Sequence, residues 1–153
     1  MEMIITIGLQ ASGKSSFCRQ FASTHVIVSK DLFPNVKKPQ RRQMREITEA
    51  FARGQSVVVD NTNPSREDRR SLIEAARAAA AGVTGYYFQS RVESSLELNG
   101  RRIGHAQVPT VAILSTAKRL QSPSPVEGFD RLFFVKMAGK DAFMVSQWID
   151  SPR

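Results

Sequence analysis

The sequence predicts an α/β fold with a largely parallel sheet. Short apolar runs alternate with longer amphipathic stretches along the 153 residues, and this alternation is typical of strands joined by crossover helices. Two of the runs, MIITI at 3–7 and SVVV at 56–59, are rich in β-branched residues, as expected of central strands covered on both faces. A composition of 41% hydrophobic and 24% charged residues excludes a disordered or collagen-like chain.

The apolar runs predict the strands in chain order, at 3–7, 25–28, 56–59, 83–88 and 131–135. Residues 143–145 are a candidate to pair back on the fifth strand through a turn at 138–141. Helical spacing predicts the intervening helices, at 14–22, 39–53, 65–81, 90–100 and 109–120. Ser65 with Asp68 has the spacing of a capping box. With no internal repeat and no long linker, we expect a single domain over residues 1–153.

A glycine-rich segment follows the first strand. Residues 8–15 read GLQASGKS and fit G-x-x-x-x-G-K-[ST], in which consecutive backbone N–H groups turn inward to hold phosphate oxygens. The helix that follows adds its positive N-terminal end. The pattern predicts a P-loop nucleotide-binding protein, and kinase, ATPase, GTPase and nucleotide-dependent switch all use this loop. The predicted nucleotide-binding residues are Gly8, Gln10, Ala11, Ser12, Gly13, Lys14, Ser15 and Ser16, with Lys14 at the β- and γ-phosphates and the Ser15 hydroxyl on Mg²⁺.

Two acids follow strands at the edge of the sheet where ligands of open α/β folds bind. Asp60 comes directly after 56–59, the pattern of a Walker-B acid that orients Mg²⁺ through water; a cap or turn residue is the alternative, because DNTNP at 60–64 is rich in turn formers. Asp31 comes after 25–28 and is a candidate general base. A kinase needs such a base for the acceptor hydroxyl, whereas a strand-end Asp that caps the next turn is the alternative.

Six segments carry a resemblance to a known family. In chain order they are the P-loop, Lys30-Asp31, DNTNP at 60–64, Asn99-x-x-Arg102, Val108-Pro109 and Glu127-Gly128-Phe129. Together they resemble the kinase domain of polynucleotide 5′-hydroxyl kinases over roughly residues 3–135. The P-loop is generic, and the other segments make the resemblance specific.

The resemblance implies an adenylate-kinase-like three-layer sandwich. Its features are a five-stranded, mainly parallel sheet, helices on both faces and a short lid at about 99–108. It also implies that ATP and Mg²⁺ are the cofactors, and that the γ-phosphate is transferred to the 5′-hydroxyl of a DNA or RNA end. The chain has no D-x-D-G-T/S signature, so we expect no companion 3′-phosphatase activity in these residues.

Carried over by position, the resemblance assigns roles to individual residues. Asp31 matches the general base, and Arg102, with Arg101, matches the lid arginine over the transferring phosphate. The lid role also follows from the sequence, because glycines flank the two arginines and permit closure; a solvated surface pair is the alternative. The acceptor-side loop matches Asn61, Thr62 and Asn63. Lys30 stands where many members carry arginine, and Pro34 stands where the phage member carries one. The candidates to replace that arginine at the acceptor's phosphate are Lys37, Lys38, Arg41 and Arg42, and Lys30 is a further candidate for substrate binding.

Charge points to an anionic partner. Lys and Arg number 22 against 14 Asp and Glu, a net +8, which favours nucleic acid, nucleotides or an anionic membrane. The run KKPQRRQMR at 37–45 contains no acid, and we favour phosphate contact there; for REDRR at 66–70 a solvated helix face is nearly as good an explanation. The sequence shows no signal peptide and no transmembrane run of 18 apolar residues, so we expect a cytoplasmic protein without a membrane partner. Cys18 is interpreted as a packed thiol.

Two other functions remain open at this point. One is a small-molecule kinase on the same core, acting on a nucleoside, sugar or antibiotic. The other is a nucleotide-dependent binding module without transfer, which would need neither Asp31 nor the paired lid arginines. The preference for DNA or RNA and the oligomeric state are not determined by the sequence.

Overall fold

The strands follow the predicted order. A computed structural model describes residues 1–30, 37–104, 107–139 and 142–149, and its strands are β1 Glu2–Ile7, β2 His25–Val28, β3 Ser56–Val59, β4 Gly82–Phe88, β5 Arg131–Gly139 and β6 Ala142–Gln147. They form one sheet in the order β2-β3-β1-β4-β5-β6. The first five are parallel to their neighbours, and β6 pairs antiparallel with β5.

The expected count of five strands is wrong, because the described sheet has six. β5 runs on to Gly139, beyond the predicted end at 135, and the chain then returns along it. Met137 lies opposite Phe143, and Phe133 lies opposite Gln147. The candidate pairing at 143–145 is therefore confirmed and is longer than predicted.

The helices are α1 Lys14–Cys18, α2 Pro39–Ala52, α3 Arg66–Ala78, α4 Val92–Gly100 and α5 Thr110–Arg119. α1 is shorter than the predicted helix at 14–22, because the chain tightens into a 3-10 turn at Arg19–Phe21. The capping box at Ser65 and Asp68 is confirmed and begins α3. Within the described ranges, no helix is long and apolar enough to span a bilayer.

Helices cover both faces of the sheet, as expected for a three-layer fold. Met3, Ile5 and Ile7 of β1 pack in one cluster with residues of α2 and α3. Ile4, which points the opposite way along the strand, packs with Cys18 of α1 in another cluster. The interpretation of Cys18 as a packed thiol is confirmed: the residue is buried, and burial raises the pKa of its thiol above the ordinary value.

Candidate active site

The P-loop occupies the turn between β1 and α1, at the carboxyl edge of the sheet. Gly8 and Gly13 adopt φ values of 151° and 91°, which favour glycine. A Cβ on Gly8 would lie 3.1 Å from the Ser90 hydroxyl oxygen, and one on Gly13 would lie 3.0 Å from the Phe143 ring. The loop thus packs closely against the ends of β4 and β6, where a side chain would not fit without displacement.

Two backbone groups of the loop are bound to neighbouring segments. The Gly8 N–H donates to the Thr62 carbonyl at 3.0 Å, and the Leu9 N–H donates to the Ser90 hydroxyl at 3.2 Å. The Gly8 N–H, which the motif assigns to nucleotide binding, is therefore engaged by the loop after β3. Ser90 is a positioning residue that sequence reasoning missed, since only the tertiary fold brings the end of β4 to the P-loop.

Lys14 lies over its own loop. Its ammonium donates to the Leu9 carbonyl and, at 3.2 Å, to the Ser12 hydroxyl, and the residue is buried. Ser16, by contrast, is half-buried, and its hydroxyl accepts a hydrogen bond from Arg19. The lysine charge is thus held within the loop that the motif assigns to phosphates.

Ser15 and Asp60 meet across the site. The Ser15 hydroxyl donates to a carboxylate oxygen of Asp60 at 2.9 Å, and the Asp60 N–H donates to the Val28 carbonyl at 2.8 Å. A hydroxyl and a carboxylate are hard oxygen donors of the kind that Mg²⁺ takes, together with waters and phosphate oxygens. In the part of the chain that the structure describes, no cluster of three or more His, Cys, Asp or Glu is present. The pair therefore fits Mg²⁺ held jointly with a nucleotide.

The amides of the 61–63 segment are used inside the protein. The Asn61 side-chain oxygen accepts from the Lys30 N–H at 2.9 Å, and its NH₂ donates to the Gln43 side chain. The Asn63 NH₂ donates to the Thr6 carbonyl at 2.8 Å. These contacts join the ends of β1 and β2 to α2, which gives the asparagines a structural role besides the predicted substrate contact.

A cleft of about 280 Å³ lies beside the P-loop. Ten of the predicted site residues line it: Gln10, Ala11, Lys14, Ser15, Lys30, Asp60, Asn61, Thr62, Asn63 and Arg102. Among the described residues, six that the sequence did not predict as site residues also line it, and they are Gln40, Gln43, Pro64, Asp68, Val108 and Arg119. The structure thus brings the P-loop, the acceptor-side loop and one lid arginine to a single space.

The basic run of α2 lies elsewhere. Lys37, Lys38, Arg41 and Arg42 are exposed, and among the described residues that line the cleft α2 contributes Gln40 and Gln43 instead. Gln43, Ile47 and Phe51 lie on the buried side of α2, which turns Arg41 and Arg42 toward solvent, and Lys37 and Lys38 precede the helix. Asp31 lies outside the described residues and stays a prediction.

The two lid arginines face different clefts. Arg102 lines the first cleft, whereas Arg101 lines a second one of about 290 Å³ together with Ala11, Ser12 and Met137. Arg101 also forms an exposed ion pair with Glu97 at 2.6 Å. The Asn99 side chain bonds both the N–H and the carbonyl of Val108, at 2.9 and 2.7 Å, and so joins the two ends of the segment predicted as the lid.

Arg69 is the residue that sequence reasoning placed least well. The sequence favours phosphate contact or a solvated helix face for the REDRR run at 66–70, yet Arg69 is fully buried. Its guanidinium makes two hydrogen bonds to the Glu127 carboxylate, at 2.9 and 3.1 Å, and donates to the carbonyls of Asn63, Pro64 and Gln121. The helical spacing could have indicated that Arg69 is buried, because positions 69, 72, 73 and 76 share the buried face of α3.

Comparisons with known proteins bear on the family and the fold of the chain. A family model described as an AAA domain matches residues 3–123. The bifunctional polynucleotide phosphatase/kinase of Schizosaccharomyces pombe is 30% identical over 133 residues, which are 84% of this chain and 32% of that protein. The L-seryl-tRNA(Sec) kinase of Methanococcus maripaludis is 26% identical over 144 residues, covering 84% of this chain and 56% of that protein. The chain thus spans about a third and about half of these relatives' lengths.

A gluconokinase from Sinorhizobium meliloti has the same fold, with a TM-score of 0.65 at 22% identity over 90% of this chain and 83% of that one. The predicted P-loop kinase fold and the predicted resemblance to polynucleotide kinases are both confirmed. The comparisons support a kinase-type, ATP-binding phosphotransferase. The names of these proteins specify different acceptors, so the cleft and the charge around it are the features of this chain that bear on its acceptor.

The Arg69–Glu127 pair predicts a large loss of stability for Glu127→Gln. Removing one partner leaves the buried guanidinium without its counter-charge, and breaking such a pair typically costs about 3–5 kcal/mol. Denaturant unfolding of the variant measures the loss of free energy. Glu97→Gln is the matched control, because its partner pair is about two-thirds exposed on both sides and such pairs contribute about 0–1 kcal/mol. Equal small losses for both variants would contradict a central role for the buried pair.

Proposed function

The chain belongs to the AAA domain family, and we propose that it is an ATP-dependent kinase that transfers the γ-phosphate to the 5′-hydroxyl of a DNA or RNA end. The observation that carries the proposal is the single cleft in which Lys14 and the Ser15–Asp60 pair meet Lys30 and Arg102. Phosphoryl transfer depends on such cations and metal ligands around one space. The similarity to a polynucleotide phosphatase/kinase over 84% of the chain supports a nucleic-acid end as acceptor.

On the donor side, the proposal places the ATP phosphates along the P-loop. Ala11 lines both clefts and Ser12 lines the second, so a nucleotide whose phosphates follow the loop extends from one cleft into the other. The second cleft, with Arg101 and Met137, suits the nucleoside part of ATP. Mg²⁺ held by Ser15 and, through water, by Asp60 would neutralise charge that develops on the phosphates. Lys14, now bonded inside the loop, would exchange those contacts for phosphate oxygens.

On the acceptor side, the 5′-hydroxyl end of the strand is proposed to bind along the other wall of the first cleft. Lys30 and the segment from Asn61 to Asn63 line this wall. Asp31, the next residue after Lys30 in the chain, is proposed to take the proton from the attacking hydroxyl. Arg102 would stabilise the equatorial oxygens of the phosphoryl group in transfer. Residues 1–153 are proposed to act as one kinase domain whose lid is the 99–108 segment.

The basic run of α2 has a separate role in the proposal. Its four exposed cations, Lys37, Lys38, Arg41 and Arg42, lie outside the cleft. Exposed cations attract a polyanion without selecting a sequence, because each neutralised phosphate releases counterions. We therefore expect them to raise the affinity for a strand rather than to take part in the chemical step.

The direct test is transfer from γ-labelled ATP to matched acceptors. We expect phosphorylation of 5′-hydroxyl DNA or RNA, none of the same strands with a 5′-phosphate, and an acceptor KM that rises steeply with salt. A panel of nucleosides and sugars tests the small-molecule alternative. Transfer to a sugar or nucleoside with no transfer to any 5′-hydroxyl strand would contradict the proposal, and so would ATP binding without transfer to any acceptor.

Asp31→Asn should separate binding from chemistry. The amide has nearly the shape of the carboxylate but is not a base, so transfer should fall by about 10²–10⁴-fold. Equilibrium binding of ATP, measured calorimetrically, should change little. Transfer at a near-wild-type rate in this variant would refute the assignment of the base.

The two lid arginines should respond differently to the same substitution. Arg102→Gln removes a cation from the first cleft, and loss of an arginine in that role typically lowers kcat by about 10³-fold or more. Arg101→Gln removes one of the two described cations that line the second cleft, the other being Arg91, and should act mainly by raising the KM for ATP. Steady-state kinetics with both substrates varied measures the split. If the two variants show the same pattern of kcat and KM, the assignment of the two clefts is wrong.

A further inference from the structure

Arg119 is a cation of the first cleft that the proposed reaction leaves without a role. In the described part of the chain, four cationic side chains line this cleft: Lys14, Lys30, Arg102 and Arg119. The first three come from the P-loop, the end of β2 and the lid segment. Arg119 is the last residue of α5, and it reaches the cleft beside Pro64 and Asp68.

The backbone that carries Arg119 is fastened to both sides of the site. One turn before it, the Thr116 hydroxyl accepts a hydrogen bond at 3.0 Å from the side chain of Gln10 in the P-loop. Two residues after it, the Gln121 N–H donates to the Pro64 carbonyl at 2.8 Å, and the Gln121 side chain accepts from the Arg66 N–H at 2.8 Å. The end of α5 therefore holds a fixed place relative to the loop that follows Asp60.

The side chain of Arg119, in contrast, is only weakly held. It is 57% exposed, and its ion pair with Asp68 has an N–O distance of 3.9 Å, which is beyond hydrogen-bond length. The Asp68 carboxylate already accepts from the N–H and the hydroxyl of Ser65. An exposed pair of this length stabilises little, so a phosphate can replace Asp68 as the partner of Arg119 at small cost.

The chemistry of the group suits a phosphodiester. A guanidinium presents a planar fork of N–H donors that matches two phosphate oxygens. The exposed cations of α2 do not line the cleft, where that helix places Gln40 and Gln43 instead. Of the described cations on the acceptor wall, Lys30 and Arg119 are therefore those that a phosphate next to the reacting hydroxyl can meet inside the cleft.

Resting on the proposed function, we infer that Arg119 binds the acceptor's own phosphate, the one nearest to the 5′-hydroxyl that is phosphorylated. A rigid helix end with a weakly held guanidinium would set the position of the acceptor strand while the chemistry takes place at the other end of the cleft. Arg119 would then favour acceptors that carry a phosphate beside the hydroxyl over sugars and unphosphorylated nucleosides.

Arg119→Gln tests this inference, with Lys118→Gln as the matched control. The control removes the same charge from the neighbouring residue of α5, which does not line the cleft. Losing a hydrogen-bonded charge contact should raise the acceptor KM about tenfold or more, with kcat and the KM for ATP little changed. Arg119→Lys, which keeps the charge without the fork, should recover only part of the affinity.

A binding measurement separates this inference from the kinase assignment. Fluorescence anisotropy of a labelled 5′-hydroxyl DNA oligonucleotide measures binding over a salt series and does not depend on phosphoryl transfer. Arg119→Gln should reduce the steepness with which log K for binding falls with log salt by about 0.7–1. If the wild type binds and transfers but Arg119→Gln and Lys118→Gln lose equally little, the inference is wrong and the kinase assignment stands. If the wild type transfers nothing, yet Arg119→Gln weakens binding and Lys118→Gln does not, the inference stands and the kinase assignment is wrong. A higher KM for ATP in place of the acceptor effect would assign Arg119 to the donor and overturn the inference.

Discussion

The buried guanidinium of Arg69 joins parts of the chain that are far apart in sequence. A buried charge is tolerated only when it is paired and hydrogen-bonded, and Glu127, together with the carbonyls of Asn63, Pro64 and Gln121, meets both conditions. The loop after β3, the start of α3, the segment after α5 and the 3-10 turn at Pro125–Glu127 therefore behave as one unit. The interaction connects two of the segments that carry the family resemblance, 60–64 and 127–129.

This unit is bonded in turn to the P-loop. The Thr62 carbonyl accepts from Gly8, Asn63 donates to the carbonyl of Thr6, and Asp60 accepts from Ser15. The groups proposed for the donor side and for the acceptor side are thus held in one frame. Preorganisation of this kind lowers a reaction barrier, because groups that are already in place need no reorganisation in the transition state.

The features that the sequence predicts well are local ones. The P-loop, the strands and the Ser65 capping box each depend on residues within a few positions, so spacing alone reveals them. The features that it misses depend on contacts between distant segments. Arg69 needs partners at 63, 64, 121 and 127, the sixth strand depends on how far β5 extends, and Arg101 and Arg102 separate because adjacent residues point to different sides of the P-loop. Charge density predicts phosphate contact at 37–45, and among the described residues of α2 those that line the cleft are Gln40 and Gln43.

The cations form two groups, the exposed ones at 37–45 and those that line the first cleft. This division bears on the kind of acceptor. Charges on the exposed face of α2 act through solvent, where screening at physiological salt limits their range to about 8 Å, so they concentrate a polyanion near the site but do not orient a hydroxyl. The cations that line the cleft act at contact distance and can orient one nucleotide. An acceptor with many phosphates uses both groups, whereas a sugar uses only the second and gains nothing from the exposed cations of the run 37–45, which contains no acid. The distribution of the net +8 charge therefore favours a polynucleotide over a small alcohol as the acceptor of this kinase fold.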